Sequence, residues 1–134
     1  MDFGIEAAVI ASFIRPSKRE RWLELIAKPG GRQKLRASLA HFGDLDPKVM
    51  IQIPRDQQDR RSIQRLLVRH GAPSSCYLIS ESSELDAKQM DLAQALKSVV
   101  GYSFGTLISC KPGLLGYFEG EEPGDRVILK KIDR

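Results

Sequence analysis

Apolar residues recur at helical spacing in three successive segments at the start of the chain. These segments span residues 3–14, 18–28 and 32–42. Pro16 separates the first from the second, and the run Pro29-Gly30-Gly31 separates the second from the third, because proline and glycine interrupt helices. The pattern therefore predicts three amphipathic or buried helices whose apolar faces pack against the rest of the protein.

After residue 47 the pattern changes to short apolar runs that alternate with longer helical segments. We predict strand, helix, strand, helix and strand in turn, at residues 49–53, 57–70, 76–79, 84–100 and 106–110. The strands are apolar throughout rather than alternating, which is typical of a parallel sheet covered on both faces. Pro112-Gly113 then predicts a tight turn, followed by two antiparallel strands at residues 114–119 and 126–131.

The chain has 134 residues, of which 42% are hydrophobic and 28% charged, as expected for one globular domain. The predicted fold is a single α/β domain over residues 1–134. A helical N-terminal subregion, residues 1–47, packs on an α/β core formed by residues 48–134. In this core the order β-α-β-α-β-β-β gives a mixed sheet, with three parallel strands extended by an antiparallel hairpin and helices on both faces.

The cysteine content and the N-terminal segment predict a cytoplasmic protein that does not associate with membranes. Residues 3–14 are apolar but too short to span a bilayer, and the leading charge is Asp2 where a secretory signal carries Lys or Arg. Cys76 and Cys110 are too few for a disulfide framework. At opposite ends of parallel strands they are expected about 15–20 Å apart, as free thiols.

The net charge of +4 is distributed unevenly, with +6 in residues 1–72 and −2 in residues 73–134. Within the basic half, Arg61, Arg65 and Arg69 recur at i, i+4 and i+8, which places them in one row opposite Ile63 and Leu67. Guanidinium groups bind phosphates in a bidentate manner. The alternative interpretations of this row are a solvated helix face, or arginine side chains paired with acidic residues from elsewhere in the fold.

Arg32 and Arg36, on the third predicted helix, are candidates to extend this basic surface. We therefore predict a non-enzymatic binding or regulatory domain whose partner is nucleic-acid phosphate or an acidic protein. Aromatic residues are missing from these basic stretches, so contact is expected with the phosphate backbone rather than with stacked bases. Cofactors and metals are not expected, because the sequence contains no glycine-rich nucleotide fingerprint, P-loop or zinc spacing.

A second hypothesis is a small enzyme acting on an anionic or phosphorylated substrate. In open α/β sheets with parallel strands, ligands bind beyond the carboxyl ends of the strands. Polar residues follow three predicted strands, and the candidates for a pocket at this sheet edge are Arg55, Asp56, Glu81, Ser82 and Lys111. The sequence favours the non-enzymatic hypothesis, since no recognisable catalytic motif accompanies these residues.

A third hypothesis is self-assembly. The apolar segment 3–14 would form the contact of a homo-oligomer. The acidic run from Glu119 to Asp125 is interpreted as a solvated hairpin tip, and it would also suit the arginine row of another copy in a head-to-tail contact.

Overall fold

A computed structural model describes residues 1–40, 42–122 and 125–131. Within these ranges the helices are α1 (Phe3–Phe13), α2 (Pro16–Ala27), α3 (Gly31–Ser38), α4 (Arg60–Arg69) and α5 (Leu92–Val99). The strands are β1 (Met50–Gln52), β2 (Ser75–Ser80), β3 (Gln89–Asp91), β4 (Thr106–Lys111), β5 (Leu115–Glu119) and β6 (Arg126–Lys130). The predicted α/β class is confirmed. The predicted third helix extended to residue 42, but α3 ends at Ser38, and His41 lies outside the described residues.

The six strands form one sheet in the order β1-β6-β5-β4-β2-β3, and every neighbouring pair is antiparallel. The prediction of a mixed sheet with three parallel strands is therefore wrong. The predicted antiparallel return through the last two strands is confirmed, with Leu107 opposite Phe118 and Tyr117 opposite Ile128.

The topology differs from the prediction because of β3, a three-residue strand inside the segment predicted as helix from 84 to 100. After β2 the chain turns back through Ala87, which has a φ of 60° and donates its N–H to the Leu78 carbonyl at 2.8 Å. Asp91 then caps α5 by accepting the N–H of Ala93 at 3.1 Å. Because β3 reverses the chain before α5, the strand that follows this helix, β4, runs antiparallel to β2.

The sheet separates two hydrophobic cores, because side chains of a strand alternate between its faces. On one face, α1, α2 and α3 cover Tyr77, Ile79 and Leu107. On the other face, α4 and α5 cover Leu78 and Ile108. Helices thus lie on both faces of the sheet, as the apolar patterns predicted. Among the described residues, none of the helices is both long enough and apolar enough to span a bilayer.

Both cysteines are free thiols, but they do not lie at opposite ends of the sheet. Tyr77 pairs with Ser109 in the antiparallel β2–β4 register, and the adjoining residues Cys76 and Cys110 point into the same core. The predicted separation is wrong because it assumed parallel strands. Burial raises the pKa of each thiol from its ordinary value of 9.0 to about 12, and the charge of Asp91 adds to the shift at Cys76.

We expect the stability of the fold to decrease as the pH rises from about 9 towards 12. Burial, together with a hydrogen bond to Glu6, also raises the pKa of Tyr77 from 10.0 to about 12. Burial raises the pKa of Tyr117 as well. In this range the unfolded chain has released protons that the folded chain still holds at Cys76, Cys110, Tyr77 and Tyr117, so the free energy of unfolding decreases with pH.

Thermal melting between pH 8 and pH 11 measures this effect. The double variant Cys76→Ala, Cys110→Ala lacks two of the four groups, so its melting temperature should decrease less steeply over the same range. A wild-type melting temperature that stays constant up to pH 11 would contradict the prediction.

Candidate polyanion-binding surface

Helix α4 is amphipathic, and its two faces are set by the sequence. Ile63 and Leu67 are fully buried in the core that α4 and α5 share. Arg61, Arg65 and Arg69 lie on the exposed face, as their spacing predicted. Asp59 begins the helix by accepting the N–H of Ser62 at 3.1 Å, which leaves the arginines on the following turns in one row.

The arginine row, Arg61, Arg65 and Arg69, has no ion pair within the part of the chain that the structure describes. Its one side-chain hydrogen bond there runs from Arg65 Nη2 to Ser62 Oγ at 3.2 Å. Asp56 lines a neighbouring cleft with Arg65 and Arg69, but its carboxylate is more than 4.0 Å from both guanidinium groups. Hydrogen bonds from Ser62 lower the pKa of Asp59, and the charge of the nearby Arg65 lowers it further. The guanidinium groups of Arg61 and Arg69 are therefore open to an external anion, and Arg65 presents its remaining N–H groups.

The exposed face of α4 forms a shallow depression of about 550 Å³. Gln64 and Val68 line it together with the arginine row, and Val68 is an exposed apolar side chain. The depression thus combines cations and hydrogen-bond donors with a small apolar area.

A second basic feature lies where α4 ends. Lys111, Lys130 and Lys131 line a groove of about 560 Å³ with His70 and with the apolar residues Ile51, Leu114 and Leu115. The described lining residues include no carboxylate. We call this feature the lysine groove. It adjoins the arginine row because Arg69 and His70 are consecutive.

The protonation of His70 follows from its surroundings in the lysine groove. Burial lowers the pKa of His70, and the charges of Lys130 and Arg69 lower it further. The imidazole is therefore neutral at pH 7. Lys130 Nζ lies 3.0 Å from His70 Nδ1, and because an ammonium group only donates, Nδ1 accepts this hydrogen bond. His70 positions one lysine of the groove without adding a charge.

Arg32 and Arg36 do not extend this surface, contrary to the prediction. Helix α3 packs on the opposite face of the sheet from α4. Arg32 contacts Glu6 Oε1 at 2.6 Å through Nη1 and Asp86 Oδ2 at 2.7 Å through Nε. Arg36 donates to the carbonyls of Ser80 and Glu81, at 2.9 and 2.7 Å. The guanidinium groups of both arginines are thus engaged by partners within the fold.

The predicted sheet-edge pocket does not form, because the strands that would build it are not parallel neighbours. Three strands separate β1 from β2, and β4 runs in the opposite direction. Glu81 accepts the N–H of Gly105, and the N–H of Ser82 donates to Ser80 Oγ at 3.1 Å. The candidates are thus dispersed over different parts of the surface, namely Arg55 and Asp56 after β1, Glu81 and Ser82 after β2, and Lys111 in the lysine groove.

The segment 3–14, predicted to form a contact between copies, contributes mainly to the core. Val9, Ile10, Phe13 and Ile14 are at most 1% exposed, whereas Phe3 is exposed. Deleting this segment would therefore remove core residues, and an oligomer contact through it is better tested at Phe3. Of the acidic run, Glu119 is buried and not solvated, and residues 123 and 124 lie outside the described residues.

Metal binding finds no support in the described ranges, where no group of three or more His, Cys, Asp or Glu side chains is placed to hold a metal ion. The sequence analysis missed the lysine groove, since its residues come from β1, from the residue after α4, from the end of β4 and start of β5, and from the end of β6. The adjacent Lys130 and Lys131 at the end of the last strand were the one local signal of it.

Comparisons with known proteins were made at three levels: models of protein families, curated protein sequences and solved structures. None of the three finds a match for this chain.

Proposed function

We propose that this protein is a non-enzymatic binding domain that contacts nucleic-acid phosphates through the arginine row and the adjoining lysine groove. The observation that carries the proposal is the row Arg61, Arg65 and Arg69, exposed on one helix face without an ion pair among the described residues. Like charges at this spacing destabilise a helix slightly, so an anionic partner would relieve a repulsion that the free protein retains.

The dimensions of the row fit a phosphate backbone. Successive arginines of the row are four residues apart, a rise of about 6 Å along the helix, so the row covers about 12 Å. A strand of B-form DNA carries about one phosphate per 3.4 Å of helix axis, which gives three to four phosphates over this length. Each planar guanidinium can bind two phosphate oxygens.

Nucleic acid is favoured over an acidic protein by the type of cation. Bidentate arginines suit phosphates repeated along a chain, and the lysine groove adds cations next to the C-terminal end of α4. The cations that line the two features are Arg61, Arg65, Arg69, Lys111, Lys130 and Lys131, of which Arg65 also donates to Ser62 and Lys130 to His70.

The proposal predicts binding to oligonucleotides that weakens steeply with salt. With three to six phosphate contacts, log K against log[salt] should have a slope of roughly −2 to −4 for a single strand. Fluorescence anisotropy of a labelled oligonucleotide at several salt concentrations between roughly 50 and 200 mM measures this slope.

Two outcomes would count against nucleic acid as the partner. The absence of binding at the lowest salt concentration would refute the proposal. Polyglutamate added at equal charge concentration provides the second comparison: if it displaces the oligonucleotide as well as unlabelled oligonucleotide does, an acidic protein is the better partner.

A further inference from the structure

The connection between α5 and β4 presents an aromatic side chain to solvent. Tyr102 is 63% exposed, and its ring centroid lies 6.3 Å from that of Phe104. On either side of Tyr102 the backbone has positive φ, 90° at Gly101 and 58° at Ser103. Glycine adopts this conformation freely, whereas serine does so at a cost in free energy.

A buried carboxylate holds this connection in place. Glu119, only 1% exposed, accepts the N–H of Gly101 at 3.0 Å and the N–H of Ser103 at 3.2 Å through Oε2. Its other oxygen accepts from the hydroxyl of Tyr117 at 2.8 Å and lies 3.3 Å from Arg126 Nε. The two residues that flank Tyr102 are thus fixed by one side chain from β5.

The Tyr102 ring is largely exposed and lies beside Phe104, while Ser103 next to it holds a positive φ at a cost in free energy. Glu119 is satisfied by its hydrogen bonds and by Arg126, so a buried carboxylate is used to hold this connection. Such features persist where the surrounding structure fixes a conformation that function uses. Here the conformation that they fix is the outward position of an aromatic ring.

Tyr102 lines a cleft of about 530 Å³ together with Gln58, Asp59, Arg60, Lys97, Val100, Gly101 and Arg126. Arg60 and Lys97 form no ion pair with any residue that the structure describes. Asp59 is engaged as the cap of α4, and Arg126 donates to the carbonyl of Gln58 at 2.9 Å. The cleft therefore offers an aromatic face beside two available cations.

We infer that this cleft binds a base of single-stranded nucleic acid, stacked on Tyr102, with the adjoining phosphates held by Arg60 and Lys97. Arg60 directly precedes Arg61, so a strand leaving the cleft continues onto the arginine row. This inference rests on the proposed function for its ligand class and adds a preference for unpaired bases. Exposed aromatic residues beside cations are the usual elements of such sites.

The test compares Tyr102→Ala, Tyr102→Phe and Phe3→Ala in binding a labelled single-stranded oligonucleotide and a duplex of equal length. Phe3 is an exposed aromatic residue on the opposite side of the sheet and serves as the matched control. We expect Tyr102→Ala to weaken single-strand binding by at least about fivefold, the lower end for loss of one stacked base. Tyr102→Phe and Phe3→Ala should bind like the wild type, and duplex affinity should not change.

The outcomes separate the two proposals. If Tyr102→Ala binds the single strand as tightly as the wild type does, the stacking site is refuted and the phosphate surface stands. Equal weakening towards the single strand and the duplex would also refute stacking. Failure of the wild-type protein to bind either oligonucleotide would refute the cleft and the proposed function together.

Discussion

Replacing Arg61, Arg65 and Arg69 together by alanine is expected to weaken oligonucleotide binding by about 100-fold at low salt, taking roughly 1 kcal/mol for each lost phosphate contact. The slope of log K against log[salt] should become shallower by about 2 for a single strand, because three fewer counterions are released. Anisotropy titrations of both proteins at several salt concentrations measure both quantities.

The matched control removes the same charge from the other side of the molecule. Lys18 and Arg21 are exposed on α2 and Lys28 is exposed directly after it, and their replacement by alanine lowers the net charge by the same amount. If this control weakens binding as much as the change on α4 does, net charge rather than the arginine row determines affinity. Both variants should fold, since surface substitutions usually alter stability by less than about 0.5 kcal/mol.

Arg32→Met is expected to lower the free energy of unfolding by about 3–5 kcal/mol, as is typical when one partner of a buried ion pair is removed. Glu6 is fully buried, with Arg32 on one carboxylate oxygen and the Tyr77 hydroxyl, at 2.6 Å, on the other. Asp86 accepts two hydrogen bonds from Arg32. Without the guanidinium group, a buried carboxylate on α1 loses its counter-charge.

Chemical denaturation measures this loss of stability. Two further variants test whether the loss comes from the ion pair. Lys34→Met changes an exposed cation on the same helix and should leave stability within about 0.5 kcal/mol of the wild type. Glu6→Gln should be less harmful, or favourable, when combined with Arg32→Met, because the uncompensated charge is then absent. An Arg32→Met protein as stable as the wild type would show that the ion pair contributes no net stability.

Much of the architecture could be predicted from local patterns. The three N-terminal helices follow from apolar spacing interrupted at Pro16 and at Pro29-Gly30-Gly31. The antiparallel return through β5 and β6 follows from the turn at Pro112-Gly113. In each case a residue with restricted or unusual backbone freedom marks the boundary, and such signals depend on neighbours in sequence alone.

The strand directions could not be predicted because they depend on β3. This strand has three residues and includes the charged Asp91, so it lacks the apolar run that identified the others. Asp91 also caps α5, whereas the sequence analysis began this helix at residue 84. The short β2–β3 hairpin therefore reversed the direction expected of β4, and together with the three strands that separate β1 from β2 it removed the predicted sheet-edge pocket.

The arginine row could be predicted because all its members lie on one helix, where spacing determines the shared face. The partners of Arg32 could not, since Glu6 and Asp86 are brought to it only by tertiary packing. The same holds for Tyr102, which lies far in sequence from Arg60 and yet lines the same cleft. Linear inspection of basic stretches for aromatic residues missed it for this reason.

The lengths of the outermost strands have a consequence if copies bind side by side on one strand of the proposed nucleic-acid partner. Both β1 and β3 have only three residues, so each edge of the sheet exposes few unpaired backbone N–H and C=O groups. Long exposed edges template intermolecular β-pairing, and short ones do so poorly. Crowding on a shared strand of nucleic acid should therefore leave neighbouring copies separate, without fibrous aggregation through their sheets.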